Sequence, residues 1–230
     1  MFSLRRPRFC VGLVLVSLTL LLLTGCQPGE DPALAPRGEF ALDFITVGKG
    51  DAFLLETPEG QTYLIDTGKA QDYVQIARSL RVLDISSLQG IFLTHGHKDH
   101  AGGLQTLLQA FPTETVYYWD QDVYSYREIF PQELAPKYGA KLLSLESGQQ
   151  LMLGGITAQV FLPPEPDPDN ENNNSLILML THGAVKFLMM GDAELEEEAQ
   201  LMGMSSKTGS LSGWATPPVP VPRQQPKLQL

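Results

Sequence analysis

The sequence predicts an α/β fold. Three observations carry that prediction: strand-length apolar runs separated by turn residues between 40 and 66, a stretch with helical apolar spacing at 70–82, and a repeat of this alternation through residue 119. Sheet and helix in alternation pack as layers around a shared apolar core.

The chain opens with a segment that stands apart from the fold. Residues 1–25 carry Arg5, Arg6 and Arg8 without an acid, followed by VGLVLVSLTLLLLTG. A basic start and an apolar run of about 15 residues have the layout of a secretory signal segment, too short for a comfortable span of about 20 residues. The run ends in LTGC, Leu23 to Cys26, which resembles a bacterial lipoprotein box. That resemblance implies cleavage before Cys26, acylation of its sulfur and an extracytoplasmic, membrane-anchored lipoprotein. Gln27 behind it is compatible with outer-membrane sorting. Cys10 leaves with the signal, so neither a disulfide nor free-thiol chemistry is expected of the mature chain.

Removal of 25 residues leaves 205, enough for one domain with a real core. Three arginines leave with them, so 13 basic residues face 26 acidic ones, a net charge of −13. Such a surface repels long nucleic acid, and no basic, aromatic-laced patch offsets it.

Residues 26–39 are rich in Pro, Gly and charge and read as a flexible tether. The domain is expected over 40–203. FALDFITVG and AFLLETPEGQTYLIDTG read as a hairpin-rich sheet segment with a turn at Glu59-Gly60. In AQDYVQIARSLRV, Tyr73, Val74, Ile76, Ala77 and Leu80 recur at helical spacing. GIFLT then reads as a strand ending at Thr94, residues 101–111 as a helix and TVYYW as the next strand. A short helix broken by Pro131 and Pro136 is expected in YSYREIFPQELAPKYG. Strands separated by Gly148 and Gly154-Gly155 follow, then an Asn-rich acidic loop at 164–175. SLILMLTHGAVKFLMMGD reads as a hairpin turning at His182-Gly183, and AELEEEAQLMG as a helix start. Residues 204–230 read as an extended Pro-, Gln- and Ser-rich tail.

Three of the four histidines fall within six residues, in LTHGHKDHAGG. Imidazoles two positions apart on a tight loop can converge on one ion, with Asp99 and His100 converging on a second beside it. Imidazole and carboxylate together suit zinc, iron or manganese. Asp66 and Asp192 each end an apolar strand run at a glycine-containing turn, where an inward carboxylate can reach a common site. Each also reads as an ordinary turn or helix-cap residue.

His95-Gly96-His97-Lys98-Asp99-His100 followed by Ala101-Gly102-Gly103 resembles the H-x-H-x-D-H-x-G-G motif of the metallo-beta-lactamase superfamily. VGKGDAFLLETPEGQTYLIDTG and NNNSLILMLTHGAVKFLMMGDAE are similar to blocks of its branch attached to competence-type DNA-uptake channels. The resemblance implies an αββα sandwich. It places His95 and His97 on a first metal, Asp99 and His100 on a second, Asp192 as a bridge between them and Asp66 as the buried acid that orients the loop. Two divalent ions, zinc or manganese, would then carry a hydroxide that attacks a phosphodiester, ester or lactam, with Asp99 orienting it.

Two departures stand against the pattern. Residues 159–181 contain no histidine, and none follows His182, where relatives place an H-H-G-S block. The C-terminal part of the sandwich is therefore expected to be incomplete, Lys207-Thr208-Gly209-Ser210 being its only echo. His182, in a hairpin turn, reads as a surface residue remote from the metals. Three readings stay open: a metal-dependent hydrolase of phosphodiester or related small-molecule substrates, a degenerate domain without catalysis, and a lipid-anchored binding module. Oligomeric state is not legible.

Overall fold

A computed structural model of the chain describes residues 39–120, 129–164 and 166–194. The signal segment, Cys26, the tether up to residue 38, the expected helix after Glu194 and the 204–230 tail lie outside the described residues.

Among the described residues, ten strands form two sheets. The first holds β1 (Ala41–Phe44), β2 (Phe53–Glu56), β3 (Thr62–Ile65), β4 (Leu88–Phe92), β5 (Thr113–Tyr118) and β6 (Lys141–Ser144) in sequence order. β1, β2 and β3 pair antiparallel, while β3 through β6 pair parallel. Each parallel step needs a crossover, and helices supply them. These are α1 (Tyr73–Val82), the short α2 (Lys98–Ala101) with α3 (Leu104–Ala110), and α4 (Pro131–Lys137). The second sheet is an antiparallel set in the order β10 (Val185–Met189), β9 (Ile177–His182), β8 (Ile156–Phe161), β7 (Gln150–Leu153).

Strand alternation assigns each face of the first sheet its own core. Leu54, Leu64, Ile91 and Val116 lie side by side in register and are fully buried. They pack with Ile76 and Leu80 of α1 and with Leu104 and Leu107 of α3. Their neighbours Leu55, Tyr63, Ile65 and Phe92 face the other way, against Ile156, Ala158, Val160, Leu178 and Leu180 of the second sheet. Each fully buried Leu or Ile contributes roughly 1.5–3 kcal/mol relative to exposure. Ile177 and Met179, on the opposite face of β9, are also buried. Helices cover one face of the first sheet and the second sheet packs on the other, the layering of the expected αβ/βα sandwich.

Two local readings are refined. Pro131 does not break the helix but starts it, at the first position, where its missing N–H has no partner to lose. The Asn-rich loop contains one turn of 3-10 helix, Glu171–Asn174, capped by the Asn170 side chain accepting from the Asn172 backbone N–H. No described helix is long and apolar enough to cross a membrane.

The topology brings several chain segments to one edge. β3 and β4 run parallel, so Asp66 and Thr94 leave the same end of the sheet, where the Asp66 backbone N–H donates to the Phe92 carbonyl at 2.8 Å. From the second sheet, the Leu176 N–H donates to the Thr94 carbonyl at 2.7 Å. Ligand sites in open α/β sheets lie beyond the carboxyl ends of such strands.

Candidate metal centre

Asp66 organises the edge from inside. It is fully buried and its backbone sits in the left-handed region at φ 59°, an unusual conformation for a side chain other than glycine. In return its carboxylate accepts from the Thr94 backbone N–H at 2.8 Å and from the Thr94 hydroxyl at 2.7 Å. His100 Nδ1 lies 2.8 Å from the same carboxylate. The loop is fixed further by the Thr67 N–H and hydroxyl, which donate to the His100 carbonyl at 2.6 and 2.9 Å.

These contacts decide which ring nitrogens are free. The Thr94 hydroxyl proton is committed to Asp66, so its oxygen accepts from His95 Nδ1, 3.1 Å away. His95 Nε2 is left as a bare acceptor. Burial first, then the neighbouring His100 and His97, push the His95 pKa down to about 2 and keep the ring neutral. At His100, burial opposes the charged form, yet the Asp66 hydrogen bond and the charges of Asp66, Asp192 and Asp51 raise its pKa to about 9. With Nδ1 on Asp66, His100 turns Nε2 toward Asp192 Oδ1 at 3.3 Å.

Two sets of ligand atoms converge. His95, His100 and Asp192 form one, Asp51, Asp66 and His100 the other, and within each set every ligand atom lies within 4.8 Å of the others. His97 joins through His95 alone, its Nδ1 standing 3.0 Å from His95 Nε2. Two imidazole nitrogens on one tetrahedral zinc stand about 3.3 Å apart, given bonds of 2.0–2.1 Å. The donor types and spacing therefore fit a divalent ion.

Of the residues singled out from sequence, His95, His97, His100, Asp66 and Asp192 meet here. Asp99 is half-buried and stands outside both convergent sets; its backbone carbonyl accepts from the Asp51 N–H at 3.3 Å. His182 lies at the far end of the β9–β10 hairpin, paired with Val185 and stacked on Phe40 with ring centroids 6.1 Å apart. Three participants escape sequence reasoning. Asp51 lies in the quoted VGKGDA stretch, but only the fold brings it to His100. Burial raises its pKa, and the charges of Asp66, Asp192 and Asp99 add to that rise against the opposing effect of His100. Thr94 was visible only as a strand end. Glu171, in the Asn-rich loop, places Oε2 3.4 Å from His97 Nε2.

The sequence profile of the metallo-beta-lactamase superfamily matches residues 45–212. The chain belongs to that superfamily. It is 26% identical over 190 residues to ComE operon protein 3 of Bacillus subtilis, covering 75% of this chain and 24% of that protein. Over 67 residues it is 40% identical to hydroxyacylglutathione hydrolase of Salmonella arizonae, covering 28% of this chain and 24% of that one. It spans about a quarter of the length of these curated relatives. Among solved structures it is similar to the metallo-beta-lactamase fold protein YhfI of Bacillus subtilis, with TM-score 0.50 and 20% identity, covering 65% of this chain and 61% of that one. That likeness concerns the fold alone.

Proposed function

We propose that this superfamily member is a metal-dependent hydrolase of phosphodiesters or related small esters, held outside the cytoplasm by a lipid on Cys26. One observation carries the reading: His95, His100 and Asp192 converge from two sheets, with the outer nitrogens of both rings already engaged by Thr94 and Asp66. Outward anchoring of this kind directs the remaining nitrogen at a metal and raises its basicity.

His95 and His97 would hold a first divalent ion, zinc or manganese, and His100 with Asp192 a second. Such ions polarise the oxygen of a scissile bond and lower the pKa of a water to near neutrality. The chain's own residues do the remaining work. Asp192 and Asp51 each bring a carboxylate near His100, Asp99 is tied to Asp51 through the backbone and would orient the nucleophile, and Asp66 keeps His100 Nε2 aimed inward. The net charge of −13 after signal removal favours small substrates over long DNA. Assignment to the competence-type branch rests on the sequence blocks at 47–68 and 172–194, and local similarity to hydroxyacylglutathione hydrolase supports hydrolysis as the reaction class.

The second reading is a domain that binds one ion and does no chemistry. It is favoured by His97, whose side chain is 42% exposed and belongs to neither convergent set. The full-length chain, purified in mild detergent without chelator beside a His97→Ala control, separates the two. Two equivalents of zinc or manganese, with metal-restorable turnover of a phosphodiester, a hydroxyacylglutathione thioester or a lactam, are expected. One equivalent and no turnover would establish the second reading. Mass spectrometry of the mature amino terminus tests the anchor, the expected product being a diacylglyceryl-modified Cys26.

A further inference from the structure

His95 and His100 each have an oxygen behind the ring, Thr94 Oγ1 at 3.1 Å and Asp66 Oδ2 at 2.8 Å, on the nitrogen that points away from the ion site. His97 shows the same division. Its Nδ1 faces His95 Nε2 at 3.0 Å, and its Nε2 faces Glu171 Oε2 at 3.4 Å. We propose that Glu171 is the positioning residue of His97, a carboxylate that receives the His97 Nε2–H and holds Nδ1 toward the ion. The inference rests on the metal-dependent reading above.

Several observations support it independently. Glu171 Oε1 is sealed from solvent and has no hydrogen-bond partner among the described residues. A half-buried carboxylate with one oxygen sealed and unpartnered is destabilising unless a strong donor or a positive charge lies beside the group. An imidazole with a cation on its other nitrogen is such a donor, because the ion withdraws charge from the ring and polarises the remaining N–H. Direct coordination by Glu171 is not what the geometry shows, since it joins no convergent set of three ligand atoms among the described residues.

The loop carrying Glu171 is itself built to stay in place. Asn170 caps its 3-10 turn, and the Asn170 and Asn172 amides donate to Glu194 at 3.0 and 3.1 Å. Glu194 lies two residues beyond Asp192, so the same contacts tie the His97 support to the carboxylate on the other side of the site. Residues 159–181 lack a histidine that would add a third imidazole. Orientation of His97 therefore matters more here than in a site with imidazoles to spare.

The test compares the full-length chain with Glu171→Ala and Glu171→Gln, reading zinc affinity by competition with a chromophoric chelator. In parallel, the ring N–H signals of the zinc-loaded, ¹⁵N-histidine-labelled proteins are recorded. With four histidines in the chain, assignment by single substitution is straightforward. The alanine variant is expected to weaken zinc binding about 10–100-fold and to lose the protected His97 Nε2–H signal. Glutamine retains an acceptor oxygen and is expected to restore that signal and most of the affinity, which general damage to the loop would not allow. Wild-type affinity and an unchanged His97 signal in the alanine variant would overturn the proposal. So would loss of one zinc equivalent in both variants with the His97 N–H still protected, because Glu171 would then be a ligand. If the wild-type chain binds neither zinc nor manganese, the hydrolase reading and this inference fall together; the other two failures leave the hydrolase reading standing.

Discussion

At Asp66 a single side chain satisfies two separate parts of the edge. Its carboxylate receives two donors from Thr94 and one from His100, all buried, so a neutral replacement leaves donors without an acceptor. Asp66→Asn retains the shape but turns an amide N–H₂ toward groups that themselves donate. The expected result is a loss of about 3–5 kcal/mol in denaturant unfolding, the range for breaking a buried pair. Zinc affinity should fall about 10–100-fold in chelator competition. The neighbouring imidazoles also make the chelator-treated protein sensitive to pH in two directions. His95 is depressed from 6.5 to about 2, so its contribution is intact above pH 6.5 and is lost as pH falls below it. His100 is raised from 6.5 to about 9, so its contribution is present below pH 6.5 and is lost as pH rises toward 9. The thermal midpoint of the chelator-treated protein should peak near pH 6.5, and a profile rising steadily from pH 5 to pH 9 would contradict these assignments. The histidines were legible as a group because their chemistry is written in adjacent positions. Thr94 and Glu171 were not, since a threonine or a glutamate acquires such a role only from what tertiary packing sets beside it.

Among the elements, the end of β10 shows how closely the two sheets meet. Gly191 has φ +57°, and a Cβ there would approach Thr94 Cβ and Oγ1 at 2.9 Å. Gly183, in the β9–β10 turn, has the same φ +57° with nothing within 4 Å. Gly183→Ala therefore reports the backbone penalty by itself, about 1–2 kcal/mol. Gly191→Ala should lose about 1–3 kcal/mol more from overpacking, measured as the difference between the two unfolding free energies. It should also weaken zinc binding, because Asp192 follows directly; equal effects of the two substitutions would show that the close approach to Thr94 is unimportant. Periodicity exposed the helix at 70–82, where Ile76, Ala77 and Leu80 are the buried residues of α1. The same reasoning misplaced Pro131, because a proline that starts a helix and one that interrupts it look alike until the flanking backbone is known. Nor could composition reveal the helical turn at Glu171–Asn174, where four polar residues are held by side-chain hydrogen bonds rather than by an apolar face.

For the molecule as a whole, the sandwich was legible because adjacent strand residues serve opposite cores, as Leu54 and Leu55 do. The meeting of the His95–His100 loop with Asp192, on which the site depends, was legible through the family resemblance, since periodicity alone does not say which strand of one sheet meets which loop of the other. Zinc bound between the His95–His100 loop and Asp192 is expected to stabilise the folded chain by linkage, by about 2.7 kcal/mol at one hundred times its dissociation constant. A thermal midpoint that rises with free zinc in the wild type, and markedly less in Asp192→Ala, is the expected outcome; equal rises would place the ion elsewhere.

His95 and Asp192 are ninety-seven residues apart, whereas the β2–β3 and β9–β10 hairpins close over a few. During refolding the short-range pairings form first, because long loops carry the larger closure entropy. The convergent set cannot exist until the second sheet has docked on the first. In a stopped-flow experiment, zinc capture should lag behind strand formation, so that acquisition of the ion marks the last stage of folding and distinguishes finished molecules from those still assembling.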